Sequence, residues 1–512
     1  MVQGTASDVG KSLVTAAIGR IMMQDGYRTA PFKSQNMALN SYVTEGGLEI
    51  GRAQGMQAEA FGITATSDMN PILLKPSGEM SAQIVVHGVP HAALSAREYR
   101  EKFLPEAKGT VMAALNRLRE AYEVVLMEGA GSPAEINLKA RDIVNMNLAG
   151  WADAPVVLVA DIDRGGVFAF IVGTLELLEP HERARVKGFI INKFRGDVSL
   201  LQPGLDWLEE RTGIPVLGVL PFLPQLRIEA EDSVVLDSAS GRQRTDSERE
   251  LDIAVIRYPR ISNFTDFDPL EDEPDTAVRY VASADELGTP DAIILPGTKN
   301  TAADLQYLRE QGFPEAIGRA LGEGCQQLAG ICGGYQMLGQ KLLDPDAIES
   351  AEPGESEGLG YLPLSTTFLP QKTTVRVSGK LADGHPLQLS GEHHGAVSGY
   401  EIHMGKTTNL DTASVSGLFS LNGPEGQAVP EGWGTTDGRI WGSYLHGLFH
   451  NDEFRRGWLN GLRRSKGLAQ LSVTYSAAAL REQEFDRLAD TVRKHLDMHA
   501  VYNIMGLPGR EE

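Results

Sequence analysis

The chain has 512 residues and a formal net charge of −21, with 42% hydrophobic and 22% charged residues. That length suggests roughly two to four domains with sizeable cores, and that charge excludes nucleic acid as a bulk partner, because phosphate backbones need a basic surface. No run approaches the roughly 18 apolar residues needed to cross a bilayer, the N-terminus leads into a glycine-rich loop rather than a signal peptide, and the two cysteines, Cys325 and Cys332, exclude a disulfide framework and suit a reducing cytoplasm.

The first motif is Gly4-Thr-Ala-Ser-Asp-Val-Gly10-Lys11-Ser12, a phosphate loop of the G-x-x-x-x-G-K-[ST] kind lengthened by one residue between its glycines. Such a loop turns backbone N–H groups onto phosphate oxygens at the positive end of a helix. Lys11 is placed to reach the β and γ phosphates, and Ser12 to ligate Mg²⁺. The apolar stripe Leu13, Val14, Ala17, Ile18, Ile21 and Met22, closed by Gly26, predicts the helix behind it. The strand feeding the loop is cut to Met1-Val-Gln3, which points to a clipped first strand or to a start further upstream.

A short strand over Arg28–Phe32 then runs into Lys33-Ser-Gln-Asn-Met-Ala-Leu-Asn-Ser41. At the C-terminal end of a parallel strand this polar segment faces the ligand crevice, which makes Lys33, Gln35 and Asn36 candidates for binding substrate. Further strands are predicted at Val124–Met127, Val156–Ala160, Gly188–Ile191 and Val216–Leu220. Amphipathic helices are predicted at Leu104–Tyr122, Phe168–Leu178 and Leu200–Thr212. This alternation is that of an α/β domain with a parallel sheet. Glu128 follows one strand end and suits a Mg²⁺ ion, which prefers oxygen ligands. Asp161 and Asp163 follow another, and serve equally well as turn residues.

Residues 226–250 are polar and charged and read as a linker between domains 1–225 and 251–450. The second domain alternates again, with strands at Ile253–Ile256, Ile293–Leu295, Leu328–Ile331 and Ile440–Tyr444. A helical, charged tail over 451–512 is expected to pack across it. Leu328-Ala-Gly-Ile-Cys332-Gly-Gly-Tyr-Gln-Met-Leu-Gly339 is strand, sharp turn and helix start, the elbow that presents a nucleophile. The helix N-terminus beyond it favours thiolate and supplies N–H groups for an oxyanion hole. Cys325 lacks such a setting and is read as a structural residue. A thiolate attacking a carboxamide needs a base that also protonates departing ammonia. His446, directly after the strand Ile440–Tyr444, is chosen for this role over His393, His394 and His403.

The segments Val2–Ser12, Lys33–Asn40, Met69-Asn-Pro-Ile-Leu-Leu-Lys75, Asp161-Ile-Asp-Arg-Gly-Gly166, Asn192-Lys-Phe-Arg-Gly-Asp197 and Tyr444-Leu-His-Gly-Leu-Phe449 together resemble the cobyric acid synthases of the cobyrinic/cobyric acid amidotransferase family. The resemblance covers nearly the whole chain. It implies a dethiobiotin-synthetase-like P-loop ATPase domain followed by a class I glutamine-amidotransferase-like domain. The implied reaction is ATP- and glutamine-dependent amidation of the b, d, e and g side chains of adenosylcobyrinic acid a,c-diamide. Implied roles are Cys332 and His446 in catalysis, Gly4, Thr5, Ser7, Asp8, Gly10, Lys11, Ser12 and Asn192 on the nucleotide, and Ser12 with Glu128 on Mg²⁺. The partners would be the corrinoid, glutamine and ATP, with neither nucleic acid nor membrane, and a homo-oligomer stays open. Cobyrinic acid a,c-diamide synthases rank second, because their Lys-x-Gly-Pro-Asp type segment is Lys33-Ser-Gln-Asn-Met here. A single-site carboxylase or a partitioning ATPase shares the loop but has no use for Cys332. One departure stands out: class I enzymes carry a glutamate two residues after the histidine, where this chain has Leu448. A Cys–His dyad is therefore expected, with turnover that is slow or dependent on the other domain.

Overall fold

The computed structural model describes residues 1–78, 81–224, 226–228, 249–350, 352–391, 395–423 and 426–508. Most of the predicted linker, residues 229–248, and the candidates His393 and His394 lie outside the described residues.

The N-terminal half is built on parallel strands rich in β-branched residues. Val2–Gly4, Val156–Asp161, Val186–Phe194 and Val216–Pro221 form one sheet in that order. Thr29–Phe32 pairs in parallel with Val124–Met127, and a parallel bridge from Val2 to Glu128 continues the sheet into this pair. Val157, Leu158, Val159, Ile190 and Ile191 are buried, as strands covered by helices on both faces require. The feeding strand of the phosphate loop is thus three residues long and fully paired, and Lys11–Gln24 forms the helix behind the loop.

One part of this half departs from the reading of the sequence. Gln35–Met37 is a strand, not a loop. It pairs with Ile72–Gly78, which continues into Ser81–Val86 and Val89–Ser95 as a small sheet of its own. Between them, Ser41–Val43 and Glu49–Gly51 make a short antiparallel hairpin.

Among the described residues, the C-terminal half carries an 11-stranded sheet. Thr276–Val281, Leu251–Ile256, Ala292–Leu295, Gln327–Ile331 and Ile440–Ser443 are parallel neighbours in that order. Antiparallel strands extend the sheet from Ala428–Thr435 through Val415–Asn422 to Leu364–Leu381, which also pairs with Ala396–Asn409.

The Leu364–Leu381 strand meets the N-terminal hairpin. Glu49 is fully buried between Lys75, at 2.7 Å, and Lys372 of this strand. Arg376 donates its Nε–H to the Val43 carbonyl at 2.7 Å and lies over the Tyr42 ring. Burial raises the pKa of the Glu49 carboxyl, but the two lysines outweigh it and hold the group well below the usual carboxylate range. A buried pair of this kind becomes strongly destabilising when one partner is removed.

The tail departs from its predicted place. Helix Asp452–Ser465 does join the second core through Phe454, Trp458, Leu459 and Leu462. Helix Ala477–His495 instead crosses back to the first half. There Phe485, Leu488, Ala489 and Val492 pack into the core that also holds Val14, Ile18 and Ile21. Arg20 meets Asp486 and Glu482 at 2.9 Å each, and Arg493 meets Asp25 at 2.8 Å. Asp497 donates its N–H to the Leu217 carbonyl, and Met498–Met505 closes the strap. The helix behind the phosphate loop buries nearly all round, and the strap covers the face its own half leaves open.

Candidate active site

The phosphate loop is shaped by its backbone. Asp8 has φ 57° and Gly10 φ 97°, left-handed values that the loop needs to curl over its helix. A Cβ on Gly10 would collide with the Asn192 amide, which donates to the Val9 carbonyl at 2.8 Å. Thr5 is buried and donates its N–H to Val159, while Ser7 and Asp8 are exposed at the loop's apex. The Lys11 ammonium donates to the carbonyls of Ala6 and Gly131 at 2.9 and 3.1 Å, folded back under the loop.

Glu128, fully buried at its strand end, gathers the neighbouring polar groups. Ser12 Oγ donates to Oε1 at 2.8 Å, Lys33 Nζ lies 3.0 Å from the same oxygen, and Gln57 donates to Oε2 at 2.7 Å. Of the substrate candidates, Lys33 therefore joins the phosphate site. Asn36 donates to Gln54 Oε1 at 3.1 Å, and Gln35 accepts from the Tyr99 hydroxyl. Asp161 is paired with Lys193 at 2.8 Å and caps the N–H of Asp163, which in turn meets Arg195. Asp161 and Asp163 serve here as turn residues in ion pairs.

In the second half the chain turns at Cys332 with φ 52° and ψ −109°, a conformation that strains a non-glycine residue and persists only where the surroundings enforce it. The surroundings are close: a Cβ on Gly334 would collide with the Leu295 carbonyl. Cys332 N–H donates to Ser443, the last residue of the neighbouring strand, so elbow and histidine strand are tied together. Helix Gly333–Leu338 starts at once, its first N–H groups outside the helical ladder. The thiol lies 3.6 Å from the Ile402 carbonyl.

His446 is 1% exposed, and the Cys332 sulfur is near enough to act on its imidazole. A Cβ on Gly297 would press on its Cε1, so this glycine leaves room for the ring. Its Nδ1 lies 2.6 Å from Asp266 Oδ2, and Asp266 Oδ1 accepts the Gly447 N–H at 3.0 Å. Burial lowers the pKa of the imidazole, but the Asp266 carboxylate and the Cys332 sulfur outweigh this and raise it to about 10. The expected pair is thus joined by a third group, a carboxylate on the far nitrogen of the imidazole. Leu448 sits in the core at 1% exposure, and the carboxylate comes instead from Asp266, on the turn Phe264–Phe267. Its sequence signal was faint: one acid between Phe264 and Phe267. His403 is stacked on Tyr444, ring centroids 3.7 Å apart, with Nδ1 at 2.7 Å from the Gly405 oxygen, a structural position. Cys325 is buried, and burial pushes its thiol up to about 11.

The strand that delivers His446 rests on a buried acid. Glu431 accepts from Ser443 Oγ at 2.7 Å and from Tyr444 N–H at 2.6 Å. Burial, joined by the charge of Glu401, pushes its pKa from 4.5 to about 8. Because the folded value is the higher, its contribution to stability is full below pH 4.5 and is lost as the pH rises through about 8. Glu431→Gln removes that titration while keeping an acceptor, so the fall in melting temperature from pH 5 to pH 8 becomes shallower than in the parent. Thermal scans across that range measure it.

Residues 1–235 match the CobQ/CobB/MinD/ParA nucleotide binding domain family, and residues 252–454 match the CobB/CobQ-like glutamine amidotransferase domain family. A cobyric acid synthase of Desulforamulus reducens is 53% identical over 99% of this chain and 98% of its own length. The chain belongs to the cobyric acid synthase family. Cobyric acid synthases of Geobacillus thermodenitrificans and Dehalococcoides mccartyi are 51% and 52% identical, each over 99% of this chain and 97% of their own. Membership accounts for two separate chemistries on one polypeptide, and makes the chain a glutamine-hydrolysing ligase with a nucleotide-binding domain. None of the helices among the described residues is long and apolar enough to cross a membrane.

Proposed function

We propose that this chain amidates the b, d, e and g carboxylates of adenosylcobyrinic acid a,c-diamide, using ATP to activate each carboxylate and glutamine as the source of ammonia. The observation that carries the reading is the Cys332–His446–Asp266 constellation on the same chain as a phosphate loop backed by Glu128. We assign activation to residues 1–225 and ammonia release to residues 251–450, with 226–250 between them. Of the tail 451–512, helix Asp452–Ser465 goes with the second half and helices Ala477–His495 and Met498–Met505 with the first.

Hydroxide is a poor leaving group, so the carboxylate must be phosphorylated before ammonia can displace it. Gly4 and Thr5 end the strand that turns into the loop, and the loop N–H groups of Ser7, Asp8 and Gly10 bind the nucleotide phosphates. Asn192 holds the loop backbone at Val9, and Lys11 leaves its two carbonyls for the β and γ oxygens. Ser12 and Glu128 offer adjacent hard oxygens 2.8 Å apart, which fits a Mg²⁺ ion that takes few protein ligands and completes its shell with phosphate and water. When bound, the ion offsets charge on the transferring phosphoryl group. Lys33, held at Glu128, stands between the phosphates and the acceptor, and Gln35 and Asn36 are assigned to the acceptor side.

At the second site Cys332 attacks the carboxamide carbon of glutamine. The helix N–H groups at Gly333 stabilise the oxyanion, and His446 passes the thiol proton to departing ammonia. Asp266 holds the Nδ1–H tautomer throughout. Water then releases glutamate and restores the thiol.

The test is mass spectrometry of the corrinoid after incubation with ATP, Mg²⁺ and glutamine. The expected product gains up to four amide nitrogens, with one ATP and one glutamine consumed for each. Recovery of unaltered corrinoid alongside glutamine hydrolysis would overturn the choice of substrate.

A further inference from the structure

The ring of His446 has a third neighbour besides Cys332 and Asp266. Asn263, 3% exposed and at φ 52°, lies just before the turn that carries Asp266. Its Oδ1 accepts the backbone N–H of Ser41 at 2.9 Å, and its Nδ2 lies 3.4 Å from His446 Nε2. The Ser41 N–H can only donate, so it fixes which end of the amide is oxygen. The NH₂ end must then face Nε2, and an NH₂ group can only donate. It suits a ring whose Nε2 carries a lone pair. It works against the imidazolium that Asp266 and the Cys332 sulfur favour, because donor then faces donor at Nε2.

Ser41 belongs to the other half of the molecule. It is the residue at which the Lys33–Asn40 segment, beside Glu128 and the phosphate loop, passes into the hairpin. The hairpin itself is clamped to the amidotransferase half by Glu49 with Lys372 and by Arg376 with Val43. A small movement at Ser41 can therefore break one hydrogen bond without undocking the halves.

We propose that Asn263 is a positioning residue that couples glutamine hydrolysis to the state of the ATP-dependent half. While Ser41 holds its oxygen, its NH₂ disfavours proton transfer from Cys332 to His446. When acceptor and nucleotide engage the Lys33–Asn40 segment, Ser41 releases the amide, which turns over and accepts from the Nε2–H. Ammonia is then produced where an activated carboxylate awaits it. This inference rests on the reading of Cys332 and His446 as the glutaminase pair.

The experiment measures glutamate release with and without ATP and the corrinoid acceptor, together with glutamate formed per amide made. It compares the parent with Asn263→Gly, which keeps the left-handed backbone, and Asn263→Asp, which can accept from both neighbours. Acceptor and ATP should speed glutamate release in the parent about tenfold or more, the effect of one misoriented hydrogen bond to a charged group. In both variants release without acceptor should rise toward the stimulated rate, and glutamate per amide should exceed one. Ammonia-driven amidation, which does not use His446, reports that the fold is intact. Should Asn263→Gly lose that activity, Asn263→Asp decides alone. If the variants keep the parent's stimulation and ratio, the coupling role is overturned while the glutaminase assignment stands. If Cys332→Ala releases glutamate as fast as the parent, the assignment itself falls.

Discussion

Cys332→Ala loses glutamine-driven amidation by at least about 10⁴-fold, the scale on which removing a nucleophile acts. The thiolate forms the bond to the carboxamide carbon, and alanine offers nothing in its place. The methyl group fits the elbow, since it is smaller than the thiol and makes the same backbone hydrogen bond to Ser443. Ammonia supplied as an ammonium salt bypasses the lost step. Amidation from that source stays within about twofold of the parent, because distant sites act independently. Assays with glutamine and with ammonium chloride at matched ATP separate these outcomes. Equal loss from both sources would refute the division of labour between the halves.

Asp266→Asn is expected to lower kcat for glutamine hydrolysis by about 10³–10⁴-fold, as an asparagine beside a catalytic histidine selects the wrong tautomer. The carboxylate accepts from Nδ1 at 2.6 Å and is the first of the groups that raise the imidazole pKa against burial. The amide NH₂ would face Nδ1 as a donor, drive the ring proton to Nε2 and leave no base toward the sulfur. The pH profile carries the second readout. Losing the negative charge lowers the His446 pKa, so the alkaline limb of the rate profile, where the imidazolium deprotonates, moves to lower pH. Ammonia-driven amidation again reports the fold. A variant that hydrolyses glutamine as well as the parent would return the site to a dyad.

The sequence made the parts of the site that are local in the chain readable. Gly4–Ser12 carries its loop, lysine and helix within a few residues, and Leu328–Gly339 carries strand, elbow and helix likewise. Asp266 was not readable, because the chain brings it to His446 from 180 residues away. What seats it is packing, including Phe267 against Phe449 with centroids 6.3 Å apart, and packing leaves no mark in local spacing. The family's usual glutamate position gave a false lead, because Leu448 points into the core. The small sheet from Gln35 to Ser95 was missed for a related reason. Its first strand is polar, and its partner Ile72–Gly78 is named only by pairing. The tail was legible as helices, but an amphipathic helix does not say which core it covers. It is matched to the far half by its apolar face in that core and by ion pairs to Arg20 and Asp25.

The strap over Ala477–His495 also has a consequence for biogenesis. During synthesis the first half leaves the ribosome complete in its sheet but without the helix that covers Val14, Ile18 and Ile21. That greasy face waits until the helix Ala477–His495 has been made. A truncation just before Ala477 would therefore cripple nucleotide handling first, more than 400 residues from the lesion in sequence.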